Sequence, residues 1–384
     1  MITRRLRTGP QLAAATTVGV LMLALAPGAS AKRPDVARDF SQPVPASAEV
    51  HAPLAGTVEP RGAYGAEGPV IYRSEPVRAP RRFDIVGIAG EMNAMEYRTR
   101  RAGESWSDWA ETDNGDPVYA GGADFVQLRS RTVPIEGELH YVTLPPPPEH
   151  APRPVTRDAG AARRAGVPEP SFVTRAEWGA KKKRGGCEPR DRPDFGKVKA
   201  GVVHHTVNTN TYSQAEAANV VLGICRFHRN GNGWDDIGYN ALVDRFGTLY
   251  QGRAGGMSRA VIGAQAEGVN TYTTGIAAIG DFTSARPSTK IKRGIVRYLA
   301  WKFDVHGLEA LGRTWLMSAG GESQRTPKGK RVKTPMIFSH NFTNFTGCAG
   351  AQLIKQVPKI RRTVQQRLDK YGAGGDPGTG GGVG

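Results

Sequence analysis

The chain has 384 residues, with 52 Lys and Arg against 35 Asp and Glu, a formal charge of +17. At 39% hydrophobic and 23% charged residues it can bury the cores of more than one domain, which excludes a wholly disordered chain, a fibre and a mini-protein; 49 Gly and 27 Pro imply long irregular stretches. The one long apolar run, residues 12–26, falls short of the ~20 residues a membrane-spanning helix needs, so a polytopic membrane protein is excluded too.

Arg4, Arg5 and Arg7 precede that run and Ala29-Ser30-Ala31 follows it. Basic, apolar and small-residue segments in that order form a secretory signal pattern over residues 1–31, with cleavage expected after Ala31. Pro27-Gly28 breaks the helix where cleavage needs extended backbone, and no Cys follows for lipid attachment. The residues after Arg4-Arg5 do not strengthen a twin-arginine signal, so general secretion to the cell wall or medium is expected. An exported chain this basic meets anionic cell-wall polymers before nucleic acid. Its basic stretches carry no interleaved aromatic platform, so neither a nucleic-acid partner nor stable membrane insertion is expected.

Residues 32–81, rich in Pro, Ala, Arg and Gly, read as an extended leader. From Phe83 the texture changes to FDIVGIAG, then MEYRTRR with Met95, Tyr97 and Thr99 alternating against charged residues, then FVQLRSR and LHYVTL, which predicts a small all-β domain over 82–145. Trp106 and Trp109 suit a carbohydrate-stacking platform, although aromatic residues between short strands usually pack in a core. The Pro run at 145–148 and the basic stretch after it predict a stiff linker over 146–170.

In the second half AGVVHHT predicts a buried strand ending at His204-His205-Thr206. Ser213 and Glu216 form a capping box for a helix carrying Val220, Val221, Ile224 and Phe227 on one face and stopped by Gly231. A hairpin turning at Phe246-Gly247, a buried strand over 274–282 and a helix from about Ser288 to His306 follow. Residues 307–335, rich in Gly, Lys and Arg, read as a loop, and Pro358 kinks or splits the last helix. The expectation is an α/β fold, a mixed central β-sheet with flanking helices over 171–371, ending in a glycine-rich tail over 372–384.

Three cysteines in a secreted chain leave one over. Cys187 and Cys225, before the HHT strand and in the following helix, suit a disulfide in an oxidising compartment, and Cys348 remains. His340 stands eight residues before Cys348, and His204 and His205 lie far upstream. A thiolate with imidazoles is a donor set for zinc with an open fourth position. On spacing alone a structural His pair and a small buried thiol explain these residues equally well.

The wider wording favours zinc. VVHHTVNTN, NGWDDIGYNALVDRFGTLYQGR, GAQAEGVNT, TGIAAIGDF and SH-x7-C together resemble the type 2 N-acetylmuramoyl-L-alanine amidase family, which includes the peptidoglycan recognition proteins, over about residues 171–365. The β-domain and Pro-rich linker ahead of it resemble secreted actinobacterial members. The resemblance implies a Zn²⁺ enzyme with ligands His204, His340 and Cys348, and with Tyr239 and Thr346 beside the metal. His205 faces away from the metal by strand alternation. Substrate contacts are expected from Trp234, Gln265 and Asn270. Such an enzyme cuts the amide between the lactyl group of N-acetylmuramic acid and L-alanine of the stem peptide; a non-catalytic peptidoglycan-binding protein on the same fold is the alternative. Departures stand at Cys348-Ala349-Gly350, where the family has Pro after Cys, and at Gly263-Ala264-Gln265-Ala266, where many members have His in place of Gln. Thr346 offers a neutral hydroxyl where other members have Lys. Glu216 and Glu267 read as a cap and a surface residue, so no carboxylate is placed as a general base.

Overall fold

Alternating apolar and charged residues fold the first half into strands. The computed structural model describes residues 33–45, 48–49, 69–90, 94–112, 115–131, 133–156 and 166–371; the expected signal segment and glycine-rich tail lie outside them. The strands are β1 (Arg38–Pro43), β2 (Ala48–Glu49), β3 (Tyr72–Arg73), β4 (Val77–Ile88), β5 (Met95–Arg100), β6 (Ala110–Thr112), β7 (Val118–Ser130) and β8 (Glu138–Thr143). They form one sheet in the order β1-β8-β4-β7-β3-β2, with β5 on β7 and β6 on β5. Phe83, Val86, Met95, Tyr97, Val126, Leu128 and Tyr141 fill its core. β1 begins inside the stretch read as leader: it pairs antiparallel with β8, and Phe40 stacks on Tyr141 with ring centroids 4.9 Å apart. Only an edge strand tolerates Pro43, and its weak alternation hides it in the sequence.

Trp106 and Trp109 are neither core nor open platform. The Arg98 guanidinium lies 4.8 and 4.7 Å from the two rings, Arg100 lies 4.8 Å from Trp106, and Arg129 lies 4.2 Å from Trp109. These cation–π contacts occupy the ring faces a sugar would need.

The second half builds a six-stranded mixed sheet from β9 (Phe172–Val173), β10 (Ala200–His205), β11 (Ala241–Val243), β12 (Leu249–Gln251), β13 (Thr273–Ala278) and β16 (Ile337–Ser339), in the order β16-β10-β13-β11-β12-β9. β10 runs parallel to both β13 and β16, while β11 and β12 form the antiparallel hairpin. Val203, Val243 and Ile276 point toward helices α2 (Thr289–Val305) and α4 (Val357–Tyr371), whereas Leu242 and Ala277 point toward α1 (Gln214–Arg226). This two-residue alternation lets helices cover both faces. The Ser213–Glu216 capping box opens α1, and a π-helical turn, Phe227–Gly231, extends it. The last helix is split just ahead of Pro358, as α3 (Ala351–Ile354) and α4, with Pro358 the second residue of α4. In place of the expected loop over 307–335 stands a hairpin of β14 (Arg313–Met317) and β15 (Arg331–Pro335), in which Leu316 is buried and Trp315 and Met317 are exposed. Its basic composition masks the alternation.

The two halves share one core. Ile85, Val142 and Leu144 of the first sheet pack with Val220, Ile224 and Phe227 of α1 and its extension. The join needs two glycines: a Cβ at Gly87 would lie 2.5 Å from the Phe227 ring, and one at Gly223 would lie 2.7 Å from Ile85. Asn219 donates to the Pro145 carbonyl at 2.8 Å, and Arg226 is paired with Asp39. The connector is pinned as well, because Val155 and Phe172 exchange backbone hydrogen bonds and Val167 N–H donates to Asp304 at 2.9 Å. No helix among the described residues is long and apolar enough to cross a membrane.

Candidate active site

His204 is the penultimate residue of β10 and His340 follows directly on β16, so two parallel strands deliver both imidazoles at their C-terminal ends, the usual place for a ligand in such sheets. Cys348 returns on the loop after His340, whose backbone is tied by Asn341 N–H to the Cys348 carbonyl at 2.9 Å. One ligand atom from each of His204, His340 and Cys348 lies within 4.8 Å of the others, and all three residues are buried. His204 Nδ1 is 3.6 Å from Cys348 Sγ, which also accepts the His205 backbone N–H at 3.4 Å.

The His204 ring is oriented from behind. Gln265 Nε2 donates to Thr273 Oγ1 at 3.0 Å, so its Oε1 faces His204 Nε2 and takes a hydrogen bond from it. That leaves the Nδ1 lone pair directed at Cys348, the tautomer a metal ligand needs. Burial lowers His204 to about 4 and holds His340 well below the ordinary histidine range, so both rings are neutral at physiological pH. His340 Nε2 is buried with no hydrogen-bond partner among the described residues.

A cavity of about 180 Å³ opens beside these groups, lined by Asp116, His204, His228, Trp234, Tyr239, Ala264, Gln265, Glu267, Asn270 and His340. Trp234, Gln265, Asn270 and Tyr239 thus line one cavity. Asn270 Oδ1 is occupied by the N–H groups of Gln265 and Ala266, at 2.9 and 2.8 Å, and so folds the loop that presents Gln265. Thr346 is not among the lining residues; its Oγ1 accepts the Cys348 N–H at 2.9 Å and shapes the ligand loop. His205 turns away, its Nδ1 accepting from the Phe282 N–H at 3.2 Å. Cys187 and Cys225 are joined in a disulfide that ties the segment before β10 to α1.

Three lining residues are ones the motif reading missed or placed elsewhere. Glu267, read as a surface residue, has Oε2 held by the N–H and hydroxyl of Ser323 at 2.8 and 2.9 Å. His228 is fully buried, its Nδ1 accepting from Gly238 N–H at 3.1 Å, so Nε2 carries the proton. Its place six residues before Trp234 is the signal that could have found it. Asp116 comes from the first sheet, just ahead of β7: its Oδ1 accepts the Tyr239 hydroxyl at 2.5 Å and lies 3.4 Å from His228 Nε2. No local pattern marks it, since its partner is 123 positions away.

Residues 194–344 match the family model described as N-acetylmuramoyl-L-alanine amidase. That segment resembles the amidase family. Peptidoglycan-recognition protein SA of Drosophila melanogaster is 31% identical over 119 residues, 31% of this chain and 54% of that protein. An N-acetylmuramoyl-L-alanine amidase of Mus musculus is 35% identical over 122 residues, 31% of this chain and 21% of that protein. The chain spans about half the length of the first curated relatives it matches. Drosophila PGRP-LB aligns with a TM-score of 0.37 at 21% identity, over 48% of this chain and 91% of that one. The matched segment contains Tyr239, His204, His340 and Glu267, whereas Asp116 and Cys348 fall outside its limits.

Proposed function

We propose that the chain is an exported zinc amidase that hydrolyses the bond between the lactyl group of N-acetylmuramic acid and L-alanine in peptidoglycan. The convergence of His204, His340 and Cys348 ligand atoms within 4.8 Å, on a cavity lined by amidase-segment residues, carries this reading. The donor set fits the ion: a soft thiolate and two neutral imidazoles suit zinc, and His340 Nε2 is a buried atom lacking a partner among the described residues. When bound, zinc supplies a Lewis acid and an activated water.

The chain's own residues do the rest. Gln265 holds the His204 tautomer, and Thr346 shapes the loop that brings Cys348 to the site. Tyr239 is the hydroxyl donor for the oxygen of the amide as it gains charge. Trp234 offers an apolar wall, and Glu267 is this segment's carboxylate on the cavity. The basic residues favour anionic wall polymers as a second partner, and the signal pattern over residues 1–31 supports export. Metal analysis of the full chain, with assay of free stem peptide released from muramyl peptides, tests the reading. One zinc per chain with peptide release is expected; binding without release would make the chain a recognition protein.

A further inference from the structure

The first sheet does more than pack against the amidase segment, because it sends a carboxylate into the cleft. Gly115, in the left-handed region at φ 78°, lets the chain press against Trp234 and Asn232: a Cβ there would lie 2.6 Å from Asn232 Nδ2. Asn232 Nδ2 donates to the Gly115 carbonyl at 2.7 Å, and the Tyr119 N–H donates to Asn208 Oδ1 at 2.9 Å, so Asp116 is fastened on both sides. Glu111 of β6 lies beside Gly347, next to the ligand Cys348 in sequence. The first half therefore reaches both the cavity and the ligand loop.

The Tyr239 hydroxyl donates to Asp116 Oδ1, and His228 Nε2 lies 3.4 Å from the same oxygen. A phenol has one proton, so a Tyr239 that donates to Asp116 cannot donate to a substrate oxygen. The remaining cavity of about 180 Å³ is also below the roughly 300–1,000 Å³ of ordinary ligand pockets. Building on the amidase reading of Tyr239, we infer that Asp116 is an internal competitor: its carboxylate occupies the acceptor position of the substrate carbonyl and sets the affinity threshold for muramyl peptides. Substrate enters by displacing that carboxylate from Tyr239. Affinity is then reduced by the fraction of molecules in which Asp116 is seated.

Full-length protein and Asp116→Ala are titrated with an N-acetylmuramyl tripeptide, first with a chelator present so that nothing is cut, then with zinc in an initial-rate assay. A hydrogen bond to a charged acceptor predicts about ten- to a hundredfold tighter binding by Asp116→Ala. With zinc, KM should fall by a similar factor. Asp116→Asn keeps the size and folding of the site but offers a neutral, weaker acceptor, and should fall between the two. Equal binding by parent and both variants, including no binding by any, overturns the inference, as does a loss of kcat with unchanged KM. Tighter binding without hydrolysis by any form leaves the competitor standing and removes the amidase reading instead.

Discussion

The two walls of the cleft are built on different terms. One wall, carrying His204, His340 and Cys348, is delivered by neighbouring parallel strands and the loop after them, and its side chains are buried and neutral or soft. The other brings Tyr239 and His228 against Asp116, which comes from the first half of the chain just ahead of β7. The first wall holds a fixed set of ligand atoms; the second depends on how two halves of the chain are seated against each other. The ligand set is built within one sheet and its loop, whereas the contact of Tyr239 with Asp116 exists only while the two halves are seated together.

Cys348→Ser offers the hardest test of the first wall. It exchanges a strong thiolate donor for a neutral hydroxyl, and zinc content and peptide release should be lost together. Retained stoichiometric zinc with full hydrolysis would remove Cys348 from the ligand set. Tyr239→Phe tests the second wall: the ring still packs 5.4 Å from His204, but the hydroxyl is gone. Turnover should drop by ~10²–10³ with zinc retained and KM no higher. Unchanged turnover would make Tyr239 a packing residue only.

Phe227→Ala probes the seating itself. Removing a fully buried ring that fills the space over Gly87 should cost about 3–5 kcal/mol, read by urea unfolding, and should loosen the second wall more than the first. A variant that unfolds in two separate transitions would show that the halves are independent after all. Replacing both Cys187 and Cys225 with Ser should destabilise by about 3–4 kcal/mol on the chain-entropy model, through the 38-residue separation they close. Because neither cysteine lines the cavity, muramyl peptide affinity below the melting range should not change.

The same asymmetry decided what could be read in the residues alone. His204, His340, Cys348 and Tyr239 sit in short motifs whose spacing reflects local geometry, and the capping box of α1 and the split just ahead of Pro358 are equally local. Gln265 was legible as a cavity residue but not as the partner that orients His204, since that bond spans 61 positions. Asp116 and the join between the sheets were hidden for the same reason. The β14–β15 hairpin was hidden differently, by Lys and Arg on its exposed positions, which give a strand the composition of a loop.

The two glycines at the join constrain how such a chain can change by recombination. Gly87 accepts Phe227 and Gly223 accepts Ile85, so each half carries one notch and one projection for the other. A crossover within the connector that brought in a first half with any side chain at position 87 would meet the aromatic ring head-on, however well each half folded by itself. The halves are therefore inherited productively only as a matched pair, and the connector, although rich in proline, is a poor place to exchange modules.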